Sequence, residues 1–244
     1  YYVENNYNLP FKSNLKATSD FSLLFGGIMP ALNEINGWSN GVIKLYNTLA
    51  SDFLYKKANN NVTFLDNHDM TRIHSSLGES IPKTKMAYAW LYTCRGIPQL
   101  YYGSEILMKG ISNPDGWVRL DFPGGWEGDQ KNAFTETGLS SDEADFLHYV
   151  QSLGSYRTKS SALKTGDMMQ YIPEDGLYVY FRYDSNQTIM CVMNTDNKSR
   201  NVNLLKYAER TTGFKGGKEI ISGNQIETSF SIPAMSMQII ELTK

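Results

Sequence analysis

Cysteine and histidine are scarce in this chain, with two of the first and three of the second among 244 residues. Cys94 and Cys191 sit in the apolar segments AYAWLYTC and TIMCVM without CxxC spacing, which argues against a thiolate metal site, a redox pair or a disulfide-built fold. Small thiols in such company read as core. So few histidines also argue against a His-rich metal centre. No apolar run approaches the roughly 18 to 20 residues that span a bilayer, and no charged segment followed by an apolar one opens the chain. Charge of one sign is lacking too: 23 basic and 25 acidic residues give a formal net charge of −2 and a pI near 6.0. The chain therefore carries no electrostatic footprint for nucleic acid or an anionic membrane, and the expected partner is small or neutral. Its first residue is Tyr rather than Met, from which we expect a piece of a longer protein.

What is present suffices for real cores, with 41% hydrophobic and 13% aromatic residues. Residues 1–18 read as an irregular connection. Phe21, Leu24, Phe25 and Ile28 then fall at helical spacing behind Ser19 or Asp20 as N-cap, and Ile43, Tyr46, Leu49, Ala50 and Phe53 form a second stripe. The short β-branched run NVTFLDN follows, then a helix with Met86, Ala89, Trp90 and Thr93 on one face, then the glycine-bounded run IPQLYYG. Strand, loop, helix, strand is a βαβ unit, and apolar runs of this kind indicate a buried parallel sheet. A long loop over 103–139 carries the turn signals NPDG, PGG and EGD. It leads into a helix with Ser140 or Ser141 as N-cap, acids in its first turn and Arg157 in its last. From about residue 164 the pattern alternates with period two between EDG, DSNQ and DNKS turns, the signature of an antiparallel β-domain. The expected division is 1–162 and 163–244.

The polar cluster Asp66, Asn67, His68, Asp69 and Arg72 ends the first strand, where parallel α/β folds place their functional side chains. Taken alone, Asn-His-Asp there is as well explained by an Asx turn and a helix cap. A lone His68 is more often structural than catalytic.

The segments FLDNHD (64–69), GIPQLYYGSE (96–105) and RLDFPGGWEGD (119–129) alter that balance. In order and spacing they resemble the last two barrel strands of the α-amylase family of glycoside hydrolases, closest to its neopullulanase and cyclomaltodextrinase-like members of the bacterial starch-utilisation type. The resemblance implies an α/β fold: the C-terminal portion of a TIM (β/α)8 barrel followed by an all-β antiparallel sandwich domain. It implies that Asp69 is the family's third catalytic carboxylate, stabilising the transition state, and that His68 bonds the same sugar. Asn67 would hold that pair, Arg72 would brace or line nearby subsites, and Tyr102 and Glu105 would help bind substrate. A retaining glycosidase needs such groups, because charge and hydrogen bonds must strengthen as the anomeric carbon becomes cationic.

The family's nucleophilic Asp and acid/base Glu belong to motifs that should precede Asp20, and neither motif is found. The expectation is the C-terminal part of a retaining α-glucan hydrolase acting on starch-derived oligosaccharides or cyclodextrins, inactive by itself. A non-catalytic carbohydrate-binding or scaffold protein is the alternative, and a transporter subunit with an amylase-like ectodomain is a weaker third. No cofactor is expected; calcium is possible in the intact enzyme. The expected partners are an α-glucan oligosaccharide and the missing N-terminal barrel portion, with self-association in its absence, and neither nucleic acid nor membrane. The resemblance points to a bacterial, periplasmic or otherwise exported protein.

Tyr101 or Tyr102 should point into packing by strand alternation. Trp117, Phe122 and Trp126 divide evenly between loop packing and sugar stacking. Arg119, Asp121 and Asp129 should fix their loop through ion pairs, Trp38 should cap a helix, and His74 should be a solvated loop residue. His148 should make a surface or domain contact, and Tyr171, Tyr178, Tyr180 and Tyr183 should pack the β-domain.

Overall fold

Asp20 opens the first helical segment as an N-cap, its carboxylate accepting from the Leu23 amide at 3.0 Å. The computed structural model describes residues 3–6 and 13–244, so part of the irregular opening stretch lies outside the described residues. Helix α1 (Phe21–Leu23) runs through a π-helical stretch, Leu24–Ile28, into α2 (Met29–Asn33). Because the wide turn rotates the apolar face, Leu23, Leu24, Gly27 and Ile28 are buried while Phe21 and Phe25, expected in the core, are exposed. Helix α3 (Val42–Ala50) likewise buries Val42, Leu45 and Leu49, leaving Phe53 and Ala50 of the expected stripe outside. Trp38, expected as a cap, is 100% exposed.

Strand β1 (Val62–Phe64) leads to the short helix α4 (Ile73–Ser76), then α5 (Ile81–Thr93) and β2 (Ile97–Gln99). β1 and β2 pair in parallel with Val62 opposite Ile97, and single parallel bridges join Ser19 to Val62 and Val3 to Leu15. Among the described residues the pairing in this part is mainly parallel, with α4 and α5 connecting β1 to β2. Gly96 permits the β2 approach: at φ +99 a Cβ there would lie 2.7 Å from the Asn61 carbonyl oxygen. β2 is not the buried strand the sequence suggests. Ile97, Gln99 and Leu100 are exposed, because β2 is the last strand of the parallel pair.

Helix α6 (Ser141–Lys159) starts in a capping box, with the Glu143 amide donating to Ser140 Oγ at 3.3 Å and the Ser140 amide to Glu143 Oε2 at 2.8 Å. Helix α7 (Ser161–Thr165) hands the chain to the antiparallel region. This holds β3 (Asp167–Gln170), β4 (Leu177–Tyr183), β5 (Thr188–Asn194), β6 (Arg200–Asn203), helix α8 (Ala208–Thr211), β7 (Gly216–Glu219), β8 (Gln225–Ile226), β9 (Ser229–Ile232) and β10 (Ser236–Thr243). Six strands form one sheet in the order β3-β4-β5-β10-β7-β8, and β6 pairs with β9 in a second.

Both faces of the larger sheet are covered, which is why β4 and β5 read as apolar runs in their centres. Val179, Phe181, Met190 and Val192 face a core with Val202, Leu204 and Ile232. Tyr178, Tyr180, Ile189, Cys191 and Met193 face the helices, sharing a core with Trp90, Phe146 and Leu153. Helix α5 is buried on nearly every side as a result. Its C-terminal carbonyls are gathered by two buried arginines. Arg182 donates to the carbonyls of Thr93 at 3.0 Å, Cys94 at 2.7 Å and Gly166 at 2.9 Å. Arg157 donates to those of Tyr92 at 2.8 Å and Gly96 at 2.8 Å. These are charge-assisted bonds at the negative end of a helix dipole. Both cysteines are buried and free, and burial pushes each thiol up to about 12, so neither is a nucleophile at neutral pH.

Candidate active site

Beyond Phe64 the chain stays buried through Leu65 and Asp66, then surfaces abruptly in the turn 67–70. Asn67 shapes that turn: its Oδ1 accepts from the Asp69 amide at 2.9 Å, the Asx geometry the residue type favours. His68 and Asp69 project to solvent, with His68 Nε2 3.3 Å from Asp69 Oδ2 and side chains 65% and 64% exposed. Two neighbouring polar groups at a strand end are thus presented outward while their backbone is held.

Asp66 holds it. Its Oδ2 accepts from the Ile73 amide at 2.8 Å and from Ser104 Oγ at 2.7 Å, bonding the end of β1 to α4 and to the loop after β2. Burial raises its pKa, against the lowering pull of those two donors and of Arg72. Arg72 lies deeper still, 0% exposed. Its Nη1 donates to the Tyr102 carbonyl at 2.7 Å, and its guanidinium carbon stands 4.7 Å from the Tyr101 ring centre and 5.1 Å from that of Tyr102. It has no surface to offer a ligand here; of bracing and lining, this geometry supplies the bracing.

Tyr101 and Tyr102 lie beyond the last residue of β2, so strand alternation does not sort them. Both hydroxyls reach the following loop, Tyr101 donating to the Val118 carbonyl at 3.0 Å and Tyr102 to that of Leu120 at 2.8 Å. Tyr102 keeps an exposed face beside them. Glu105 is partly buried, and burial raises its pKa; its Oε2 has no partner among the described residues.

Arg119 is the residue whose importance the sequence hides. It was expected only to fix its own loop, and it pairs with Asp115 at 3.0 Å. It also reaches back across fifty residues: Nη2 donates to Asp69 Oδ1 at 3.0 Å and Nε to the His68 carbonyl at 2.8 Å. Asp129, expected in an ion pair, instead accepts from the amides of Gly124 at 2.8 Å and Trp126 at 3.2 Å. Asp121 joins none of the ion pairs among the described residues. Trp117 and Trp126 stand exposed on this loop, while Phe122 packs on Phe134 with ring centres 5.2 Å apart. Beside Asp69 a hollow of about 220 Å³ is floored by Phe25, Met29 and Leu65.

Two histidines lie apart from this cluster. His74, far from being a solvated loop residue, is buried at α4 with Nδ1 2.9 Å from Thr84 Oγ1. The Thr84 hydroxyl donates to the Ser80 carbonyl at 2.8 Å, so Nδ1 of the imidazole carries the proton given to it. His148 is a surface residue, Nε2 2.9 Å from Glu136 Oε1. No group of three or more His, Cys, Asp or Glu among the described residues is placed to hold a metal.

Parallel strands with helices outside them, a polar turn at a strand end and an antiparallel domain behind define a portion of a catalytic (β/α) barrel with a C-terminal β-domain. A family model for the α-amylase catalytic domain matches residues 28–199, and one for the cyclo-maltodextrinase C-terminal domain matches residues 168–241. The chain belongs to the α-amylase family. It is 28% identical over 180 residues to a cyclomaltodextrin glucanotransferase of Bacillus sp. (strain 1011), covering 72% of this chain and 22% of that protein. To the glucanotransferase of Paenibacillus macerans it is 32% identical over 139 residues, 57% of this chain and 17% of that one. Among solved structures, the α-amylase of Geobacillus thermoleovorans complexed with acarbose superposes with a TM-score of 0.74 at 20% identity, over 94% of this chain and 48% of the other. The cyclic α-maltosyl-(1→6)-maltose hydrolase of Arthrobacter globiformis gives 0.69 at 11% identity, over 95% and 46%. At these identities the structural likeness speaks for the fold. The chain spans about a fifth of the length of the curated relatives it matches and about half that of the solved structures.

Proposed function

We propose that this chain carries the transition-state-stabilising half of a retaining glycosidase site for α-glucans, starch-derived oligosaccharides or cyclodextrins. One observation bears most of the weight: His68 and Asp69 stand exposed side by side on a turn whose backbone is pinned from below by Asp66 and from the side by Arg119. Rigid presentation is what such a role requires, because donors and charges set in advance stabilise the developing oxocarbenium ion without reorganising. Asp69 accepts from hydroxyls of the reacting sugar and favours its distorted ring; His68 donates to the same sugar. Asn67 keeps the pair's spacing, Arg72 braces Tyr102 and its neighbours from within, and Tyr102 and Glu105 border the subsite.

The bond-breaking pair of a retaining enzyme, a nucleophile and an acid/base about 5 to 5.5 Å apart, is not assigned to any residues of this chain. It therefore binds glucan and does not turn it over by itself. In the same reading the chain divides into barrel residues 1–162 and a β-sandwich domain at 163–244, and the parent protein is bacterial and exported. Support for the ligand class comes from the relatives, which include cyclomaltodextrin glucanotransferases, an α-amylase solved with acarbose and the protein AmyP solved with maltose.

The test is maltoheptaose titration followed by NMR of the histidine rings, with reducing-sugar release assayed in parallel. The His68 signals should move saturably, Asp69→Asn should weaken that response at least fivefold, and no sugar should be released above the blank. Unmoved His68 signals, or release at the rate of a complete amylase, would overturn the reading.

A further inference from the structure

A second hollow, of about 640 Å³, lies between the two parts of the chain and includes none of the residues just described. One wall is the loop 36–41 ahead of α3; the other is the turn 172–176 between β3 and β4. The walls are fastened together. Asn36 donates from Nδ2 to Thr195 Oγ1 at 3.0 Å and accepts at Oδ1 from the Val42 amide at 3.1 Å, so one side chain joins the helix start to the β-domain. Gly41 holds φ at +74 against the Asn36 backbone, where a Cβ would lie 2.8 Å from Asn36 Cα. Across the gap, the Glu174 and Leu177 amides exchange hydrogen bonds with each other's carbonyls at 3.0 and 2.8 Å, closing the turn. The hollow is preformed, and its size lies within the 300 to 1,000 Å³ of small-molecule sites.

Its lining is unlike an ordinary surface. Trp38 is fully exposed at 100% and Ile172 is 67% exposed, one on each wall, and Pro173 and Ile43 complete the apolar lining. An indole held wholly in water has surrendered burial worth about 2 to 3 kcal/mol for a large apolar side chain, which a packed cap would have kept. Around these apolar faces stand planar polar groups, the Asn40 amide and the carboxylates of Glu174 and Asp175. A flat aromatic face bordered by planar amides and carboxylates matches one kind of small ligand well: a pyranose, apolar on its C–H face and ringed by hydroxyls.

We propose that this hollow is an accessory binding site for one or two glucose units of an α-glucan, with Trp38 as the stacking platform. The proposal rests on the glucan reading of the chain. An oligomeric or polymeric ligand makes a second site useful, since contact at one point raises the effective concentration of the same chain at the other. The turn 172–176 contributes from the β-domain, so the site exists only where the two parts are docked.

Four tryptophans give four indole N–H signals, and Trp38→Phe identifies one of them. In the intact 244-residue chain, maltoheptaose should shift the Trp38 indole signal saturably, and cellohexaose, with its β-linkages, should not. Trp38→Ala removes a fully exposed side chain and should leave unfolding unchanged, yet at least halve the retardation of the chain in a gel cast with soluble starch, the His68 site accounting for what remains. The proposal is overturned if the Trp38 signal stays fixed while His68 responds, a result that leaves the active-site reading intact. It is equally overturned if cellohexaose shifts Trp38 as far as maltoheptaose does. A shift of Trp38 with His68 unmoved would uphold this site and remove the other.

Discussion

Arg182→Met should destabilise the chain by about 3 to 5 kcal/mol, the range for breaking a buried charged network. Arg182 is fully buried and spans the two parts of the molecule, and its partners are carbonyls. Three bonds of 3.0, 2.7 and 2.9 Å join it to Thr93, Cys94 and Gly166. Bonds from a charged donor are worth about 1.5 to 3 kcal/mol each, a gross loss of about 5 to 9 kcal/mol. Removing the guanidinium also relieves several kcal/mol of desolvation, which burial records by lowering its pKa. Methionine fills the same volume and satisfies none of the carbonyls, so the loss prevails. Urea unfolding followed by far-UV circular dichroism measures the difference, and Arg182→Lys should recover less than half of it, having one nitrogen for three carbonyls. Arg157→Met should cost less, and the double substitution less than the sum of both, because the two arginines share the Cys94 carbonyl. A loss below about 1 kcal/mol for Arg182→Met would refute the view that these carbonyls need a cation, since a surface arginine costs no more than that.

Three further outcomes follow from the geometry. Burial lowers the pKa of His74 below its ordinary 6.5, so the unfolded chain binds more protons in that window and stability should fall as pH drops through 6.5; His74→Gln should flatten the profile measured by thermal melts between pH 7.5 and 5.5. Gly96→Ala should cost about 1 to 3 kcal/mol in urea unfolding, because an Ala Cβ at φ +99 would meet the Asn61 carbonyl oxygen at 2.7 Å. Arg119→Ala should change stability by less than about 1 kcal/mol, since its pair with Asp69 is exposed, yet speed amide exchange at His68 and Asp69 in NMR.

How far the fold could be read in advance depended on how local its cause was. The capping box at Ser140, the N-cap at Asp20 and the hairpins of the β-domain follow from residues within a few positions of one another, and all three stand in the structure. The helical stripes fail at Phe25, where the π-helical stretch shifts the face, and at Phe53, where α3 has already given way to a 3-10 turn, and neither change is written in the spacing; Phe21 is exposed as well. His74 was misplaced for a similar reason. It is buried, and its hydrogen-bond partner, Thr84, stands on a different helix.

The sequence alone determined the family, because FLDNHD and GIPQLYYGSE are contiguous chemistry whose order survives unfolding. The turn signals EDG and DSNQ likewise marked the antiparallel hairpins beyond 164, although β4 and β5, expected to alternate, are buried on both faces. Only tertiary structure decided which polar residues meet. Arg119 reaches Asp69 across fifty positions, Asp66 reaches Ser104 across thirty-eight, and Arg182 reaches Cys94 across eighty-eight. Such pairs depend on a chain path that hydrophobic burial selects as a whole, and burial is blind to which charged groups it brings together. The same indifference leaves Trp38 in water while Arg72 and Arg182 lie in the core.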